Sequence, residues 1–176
     1  MSVTELKKAL PDYAKDIRLN LSSVLKREGA PGLGEEQIFG VALASAHATD
    51  NPEFARQMEA LVQEKVSEAT VTAAKAAASI MAMNNVYYRF LHLVSDEEYK
   101  KMPAGLRMNV IGQPGVAKED FELYSLAVSA INGCGLCVEN HEKALRKAGM
   151  GRDAVQSTVR IAAVINAAAT TVRHAA

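Results

Sequence analysis

Helix-forming residues occupy the chain in long blocks, and this limits its fold more than any other feature. Ala, Leu, Met, Val and Glu prevail from Glu35 to Ala48, Pro52 to Val66, Ser67 to Leu93, Lys118 to Ile131 and Asp153 to Val172. Each block is long enough for a helix, while alternating strand patterns are almost missing. The expectation is an all-α helical bundle. Breaks fall at Glu28–Gly34, with three glycines and a proline, at Asp50-Asn51-Pro52, across 95–116 with Pro103 and Pro114, and at Gly149-Met150-Gly151. Lys143, Arg146 and Lys147 ahead of Gly149 suit the negative end of a helix closed by glycine. Asp153 then reads as the N-cap of the last helix.

At 176 residues and 49% hydrophobic, the chain has material for one buried core, so 1–176 is read as a single domain. A short echo runs through it. Ala44-Ser45-Ala46 aligns with Val128-Ser129-Ala130 at an offset of 84 (129 − 45 = 84), each closing a helix before a polar turn, and the same offset sets Asp50 opposite Cys134. An ancestral duplication and chance similarity in Ala-rich sequence are equally open readings. On the first, a scaffold half spans about 1–93 and a second half about 116–176.

Charge narrows the partners. Lys plus Arg and Asp plus Glu each number 20, and no basic stripe stands out, which argues against nucleic acid. Met1 to Lys8 lacks the apolar stretch of a secretory leader, and no apolar run reaches membrane-spanning length. A cytoplasmic protein without membrane contact is expected. In such a reducing setting a Cys-x-x-Cys binds metal or cycles between dithiol and disulfide.

The only two cysteines, Cys134 and Cys137, lie beside His141. On a helix beginning near Gly133 all three side chains would project from one face, and the thiols are close enough for a short-loop disulfide. Upstream, Glu122, Leu126 and Ser129 follow at four and three, pointing toward the same turn. Glu122 sits between Phe121 and Leu123; partly buried it would relay protons near neutrality, and solvated it would serve the helix dipole. Ser129 is either a neighbour of the dithiol or a small packing residue. Zinc is disfavoured, because a closed site wants four ligands and no second Cys/His pair follows. Haem attachment wants His where Val138 stands, and a thioredoxin fold wants strands. His47, His92 and His174 lack ligand spacing. Met81, Met83, Tyr87 and Tyr88 read as packing. Asn84 and Asn85, consecutive amides in an apolar helix, call for a core hydrogen-bond network or a subunit contact, and Arg107 and Asn109 for a similar bracing role.

Several segments together resemble the alkyl hydroperoxidase D family, of the carboxymuconolactone decarboxylase fold superfamily. They are Leu10–Ile17 (LPDYAKDI), Leu19–Ser23 (LNLSS), Met81–Arg89 (MAMNNVYYR), Gly105–Ile111 (GLRMNVI) and Phe121–Tyr124 (FELY). The specific part is a Glu twelve residues before a Cys-x-x-Cys that is followed after three residues by His, met here by Glu122, Cys134, Cys137 and His141. The resemblance implies an all-helical antioxidant thiol peroxidase that reduces alkyl hydroperoxides and hydrogen peroxide. Cys137 would become the sulfenic acid, Cys134 would resolve it, His141 would serve Cys137, and Glu122 would act through a water on Cys134. A helix-start argument alone would favour Cys134 as the more acidic thiol. The resemblance further implies no bound cofactor, dihydrolipoamide on a 2-oxoacid dehydrogenase acyltransferase as reductant, electron transfer through Cys137 to the peroxiredoxin alkyl hydroperoxide reductase C, and a homotrimer. Many members carry His immediately before the second cysteine, where this chain has Leu136. The rival role for the same dithiol is a disulfide reductase or electron adaptor with little direct peroxidase activity. Decarboxylation, which gives the dithiol no task, and a binding module with inert thiols come after it.

Overall fold

A computed structural model describes residues 2–175, which form ten α-helices and, among the described residues, no strand. They are α1 (Val3–Lys8), α2 (Lys15–Val24), α3 (Glu35–Ala48), α4 (Pro52–Val62), α5 (Glu68–Leu93), α6 (Glu98–Lys101), α7 (Asn109–Gly112), α8 (Lys118–Ile131), α9 (Gly135–Lys147) and α10 (Arg152–Ala175). The all-α expectation holds. None of these helices is long and apolar enough to cross a membrane.

Local chemistry sets the boundaries. Ser2 and Glu5 form a capping box that starts α1. Asn51 caps α4, with Pro52 in its first turn, and the Ser67 hydroxyl caps α5 by accepting from the Thr70 N–H. Asp153 is not the cap of the last helix. That helix starts one residue earlier, at Arg152, and the Asp153 carboxylate accepts from the Ala154 N–H within the first turn. Gly149, at φ +90°, ends α9 as anticipated: its N–H reaches the Arg146 carbonyl and the Met150 N–H reaches that of Leu145.

The core is built on α3 and α8. Every residue of α3 from Ile38 to Ala46 is buried, as are Phe121 and the run Leu123–Ser129 of α8. The two helices pack on each other and are flanked by α5 and α10, while α2 lies on α10. Their approach depends on Gly40, since a Cβ there would stand 2.5 Å from the Tyr124 hydroxyl oxygen. Only glycine leaves room for that buried ring.

The succession α3–α4–α5 is repeated as α8–α9–α10. Both first helices have 14 residues and start 83 apart (118 − 35 = 83). The second helices keep that spacing (135 − 52 = 83), and the third start 84 apart (152 − 68 = 84). Each long helix packs on the other unit's first helix, α5 on α8 and α10 on α3. Each also clasps the other unit's turn. Arg89 of α5 donates to the Asn132 carbonyl at 2.8 Å, and Arg173 of α10 donates to the Asp50 carbonyl at 3.2 Å. The echo read from sequence is therefore one residue out of register: at an offset of 83, Cys134 lies opposite the cap residue Asn51 and not opposite Asp50. A three-residue match among small residues slips easily, whereas N-cap hydrogen bonds fix where a helix begins.

Candidate active site

The end of α8 and the start of α9 share one tight turn. Gly133 adopts φ +68°, which lets the Gly133 N–H bond the Ala130 carbonyl at 3.3 Å and the Cys134 N–H bond that of Ser129 at 3.1 Å. This pattern closes α8. Cys134 is at once the residue after that closure and the N-cap of α9, its Sγ accepting from the Cys137 N–H at 3.3 Å. The helix thus begins at Gly135, two residues later than the sequence suggested, and Cys134 stands just outside it rather than on its face. The two cysteines nonetheless meet, joined by a disulfide with Cα atoms 5.3 Å apart.

Helix α5 supports the turn from outside. The Asn85 amide donates to the Ser129 hydroxyl at 2.9 Å, and the Asn132 amide donates to the Asn85 Oδ1 at 3.0 Å. With Arg89 on the Asn132 carbonyl, these polar contacts hold the backbone that presents Cys134. Ser129 is fully buried, its hydroxyl accepting from Asn85 and its carbonyl from the Cys134 N–H. The core network expected of the two amides belongs to Asn85. Arg107 and Asn109 take no part in it; both are exposed on the 95–116 segment.

Glu122 of α8 meets His141 of α9, with Oε2 and Nδ1 2.6 Å apart and both side chains about six-sevenths buried. Glu122 is thus not a solvated first-turn residue. Its hydrogen bond goes to His141. An Nδ1–H donated to a carboxylate fixes the neutral imidazole in the form whose Nε2 accepts a proton.

His141 and Cys137 line one pocket of about 210 Å³, whose other walls are Met81, Asn84, Tyr88, Met108, Ile111 and Asn140. Cys134, 0% exposed, is not part of that lining, whereas Cys137 is 5% exposed. Glu122 lines a different pocket of about 360 Å³ with Lys118 and Lys147. The Glu122–His141 bond therefore connects two openings. Sequence reasoning missed the pocket walls, and took Met81 and Tyr88 for packing alone. The other histidines stay apart, with His92 and His174 exposed and His47 beside Glu59 at 3.5 Å.

Chemically, the arrangement offers two sulfurs that exchange a disulfide for a dithiol at a helix N-terminus, where partial positive charge favours thiolate. It also offers an imidazole and a carboxylate joined for proton transfer.

Comparison with known proteins finds relatives along nearly the whole chain. A profile described as "Carboxymuconolactone decarboxylase family" matches residues 97–176, which hold α8, α9 and α10. A protein of Rhizorhabdus wittichii named "Alkyl hydroperoxide reductase AhpD" is 56% identical over 97% of this chain and 96% of its own length. Proteins of the same name from Streptomyces avermitilis and Rhodopseudomonas palustris are 56% and 52% identical, over 97% and 100% of this chain and 95% and 96% of theirs. The similarity thus spans both three-helix units and the whole redox site, and the chain belongs to the alkyl hydroperoxide reductase AhpD family.

Proposed function

We propose that this protein is an antioxidant thiol peroxidase that reduces alkyl hydroperoxides and hydrogen peroxide through the Cys134–Cys137 pair. The observation that carries the reading is the grouping of Cys137 and His141 on one pocket wall, with Glu122 bonded to that same imidazole. The names of its relatives support the choice of substrate.

In the reduced protein His141 takes the Cys137 proton and passes charge to Glu122. The Cys137 thiolate attacks the distal peroxide oxygen; an S–O bond forms, the O–O bond breaks, and the alkoxide leaves as alcohol after protonation. Sulfur is oxidised and the peroxide reduced. Cys134 then attacks the sulfenic acid, forming the disulfide and releasing water. The place of Cys137, and not Cys134, in the pocket lining supports Cys134 as the resolving thiol, since a peroxide in the pocket would meet Cys137 first. Leu136 supplies no imidazole between the cysteines, which leaves the Glu122–His141 pair as the proton carrier.

No cofactor is bound in this cycle. Dihydrolipoamide, presented on a lipoylated 2-oxoacid dehydrogenase acyltransferase, reopens the disulfide. Electrons also pass through Cys137 to the peroxiredoxin alkyl hydroperoxide reductase C. The protein works as a cytoplasmic homotrimer.

Thiol titration before and after one equivalent of an alkyl hydroperoxide tests the core of this reading. Wild type is expected to lose two thiols, and Cys134→Ser to accumulate a trappable sulfenic acid at Cys137, with none at Cys134 in Cys137→Ser. Thiols that survive peroxide yet exchange rapidly with dihydrolipoamide would replace the peroxidase with the electron-adaptor role.

A further inference from the structure

Asn84 lies on α5 one residue before the amide that braces the redox turn, yet it takes no part in that network. It is 4% exposed, and its Oδ1 is buried without a hydrogen-bond partner. A buried, unsatisfied amide oxygen weakens a fold, by roughly 1–3 kcal/mol in typical cases. A leucine of similar size at this position in an apolar helix would carry no such penalty. Asn84 lines the same pocket as Cys137 and His141. Beside the polar Asn140, the remaining walls are largely apolar: Met81 from its own helix, Tyr88 one turn on with its hydroxyl toward the Met108 sulfur, Met108 itself, and Ile111 of α7.

We propose that this pocket is the subsite for the organic hydroperoxide and that the Asn84 carboxamide holds its O–O–H end. The inference rests on the peroxidase reading and adds to it a substrate-binding residue and a preference. A hydroperoxide head carries one O–H donor and several lone pairs. A carboxamide offers one acceptor and one donor group, and a half-turn about its last torsion exchanges them, so it satisfies either demand. The alkyl group then lies against Met81, Tyr88, Met108 and Ile111. At about 210 Å³ the space falls below the roughly 300–1,000 Å³ of pockets that hold drug-sized ligands. It suits a short or branched alkyl chain. Hydrogen peroxide, with no alkyl group, uses the Asn84 contact alone and gains nothing from the apolar walls.

The test compares reduced wild type with Asn84→Leu, following the rate of Cys137 oxidation by tert-butyl hydroperoxide and by hydrogen peroxide, reduction of the disulfide by dithiothreitol, and the melting temperature. Loss of the contact should slow oxidation by tert-butyl hydroperoxide by roughly two- to twelvefold, the worth of one hydrogen bond to the reacting group. Dithiothreitol reduction should be unchanged, and the melting temperature unchanged or higher, because an orphaned polar atom has been removed. A merely structural asparagine would instead lower the melting temperature and leave the rates alone. Should leucine prevent folding, Asn84→Ala removes the amide without added bulk and is read in the same way. Equal oxidation rates in a folded variant, or slowing confined to the dithiothreitol step, would overturn the assignment. Wild type that resists both peroxides would sink the peroxidase reading itself, a result distinct from either.

Discussion

At an offset of 83 residues, Phe39, Asn51, Phe54 and Met58 of the first three-helix unit correspond to Glu122, Cys134, Cys137 and His141 of the second. In the first unit these positions are packing and a cap. Phe39, Phe54 and Met58 are buried in the core, and the Asn51 Oδ1 accepts from the Phe54 N–H at 3.0 Å. In the second unit the same hydrogen bond runs from the Cys137 N–H to the Cys134 Sγ, at 3.3 Å. Sulfur is the weaker acceptor, so the redox turn begins its helix with a poorer cap. Its support comes from Asn85 and Arg89 of the opposite unit, just as Asn51 and Asp50 are tied to Ala169 and Arg173. The disulfide thus occupies positions that the first unit fills with a cap and a core phenylalanine, which is why both sulfurs are buried.

Altering matched positions puts the likeness of the two units under the greatest strain. Cys137→Ser should abolish peroxide-driven thiol loss while the chain stays folded. Phe54→Ala, its counterpart, should remove about 3–5 kcal/mol of stability yet leave the peroxide rate per folded molecule unchanged. Denaturant melts alongside peroxide kinetics report both, and a change of rate in folded Phe54→Ala would show that the units are not separable. Next in size, Glu122→Gln should slow Cys137 oxidation near neutral pH by roughly 100-fold, the low end of what positioned acid–base groups contribute. Phe39→Leu should cost less than about 1.5 kcal/mol and no rate.

The two caps separate the units further. Asn51→Ala should cost about 1 kcal/mol, through the lost bond to Phe54 and the lost amide contact to Ala169. Cys134→Ser, measured against the reduced protein, should be neutral or stabilising, because a serine hydroxyl caps better than a thiol. Smallest is a pH effect confined to the first unit, where His47 stands opposite Ala130. Burial, with Lys75 adding to it, pulls the His47 pKa below its ordinary value, and Glu59 only partly offsets this. The imidazole is neutral in both states above about pH 6.5. Below that the unfolded chain takes up the proton first, so stability falls as pH drops from about 6.5 toward the depressed folded value. Melting temperatures across that range should decline less in His47→Gln than in wild type.

Much of the fold was legible because its two central helices are Ala- and Leu-rich blocks bounded by Gly and Pro; both Glu35–Ala48 and Lys118–Ile131 match the expected spans. The N-terminal helices α1 and α2 escaped notice, being short and polar and separated by Pro11, and they are held by packing on the bundle more than by their own propensity. At the site, Cys134, Cys137 and His141 were readable from spacing because they sit on one local turn and helix. Glu122 was ambiguous until α8 and α9 were seen side by side. The pocket was beyond reach, since Met81, Asn84 and Tyr88 of α5 meet Met108, Ile111 and Asn140 only through tertiary packing. The one signal available was the pair of amides in an apolar helix, which split into a brace, Asn85, and an unsatisfied pocket wall, Asn84.

If the protein works as proposed, the Cys134–Cys137 bond closes as peroxide is consumed. Adding one equivalent of alkyl hydroperoxide to the fully reduced protein, and measuring alcohol produced and thiols lost in the same sample, puts this to the proof. One alcohol should form per intramolecular disulfide, with both thiols restored by dihydrolipoamide and the yield repeated on each further addition. Peroxide left intact with both thiols free, or alcohol formed without the disulfide, would refute it.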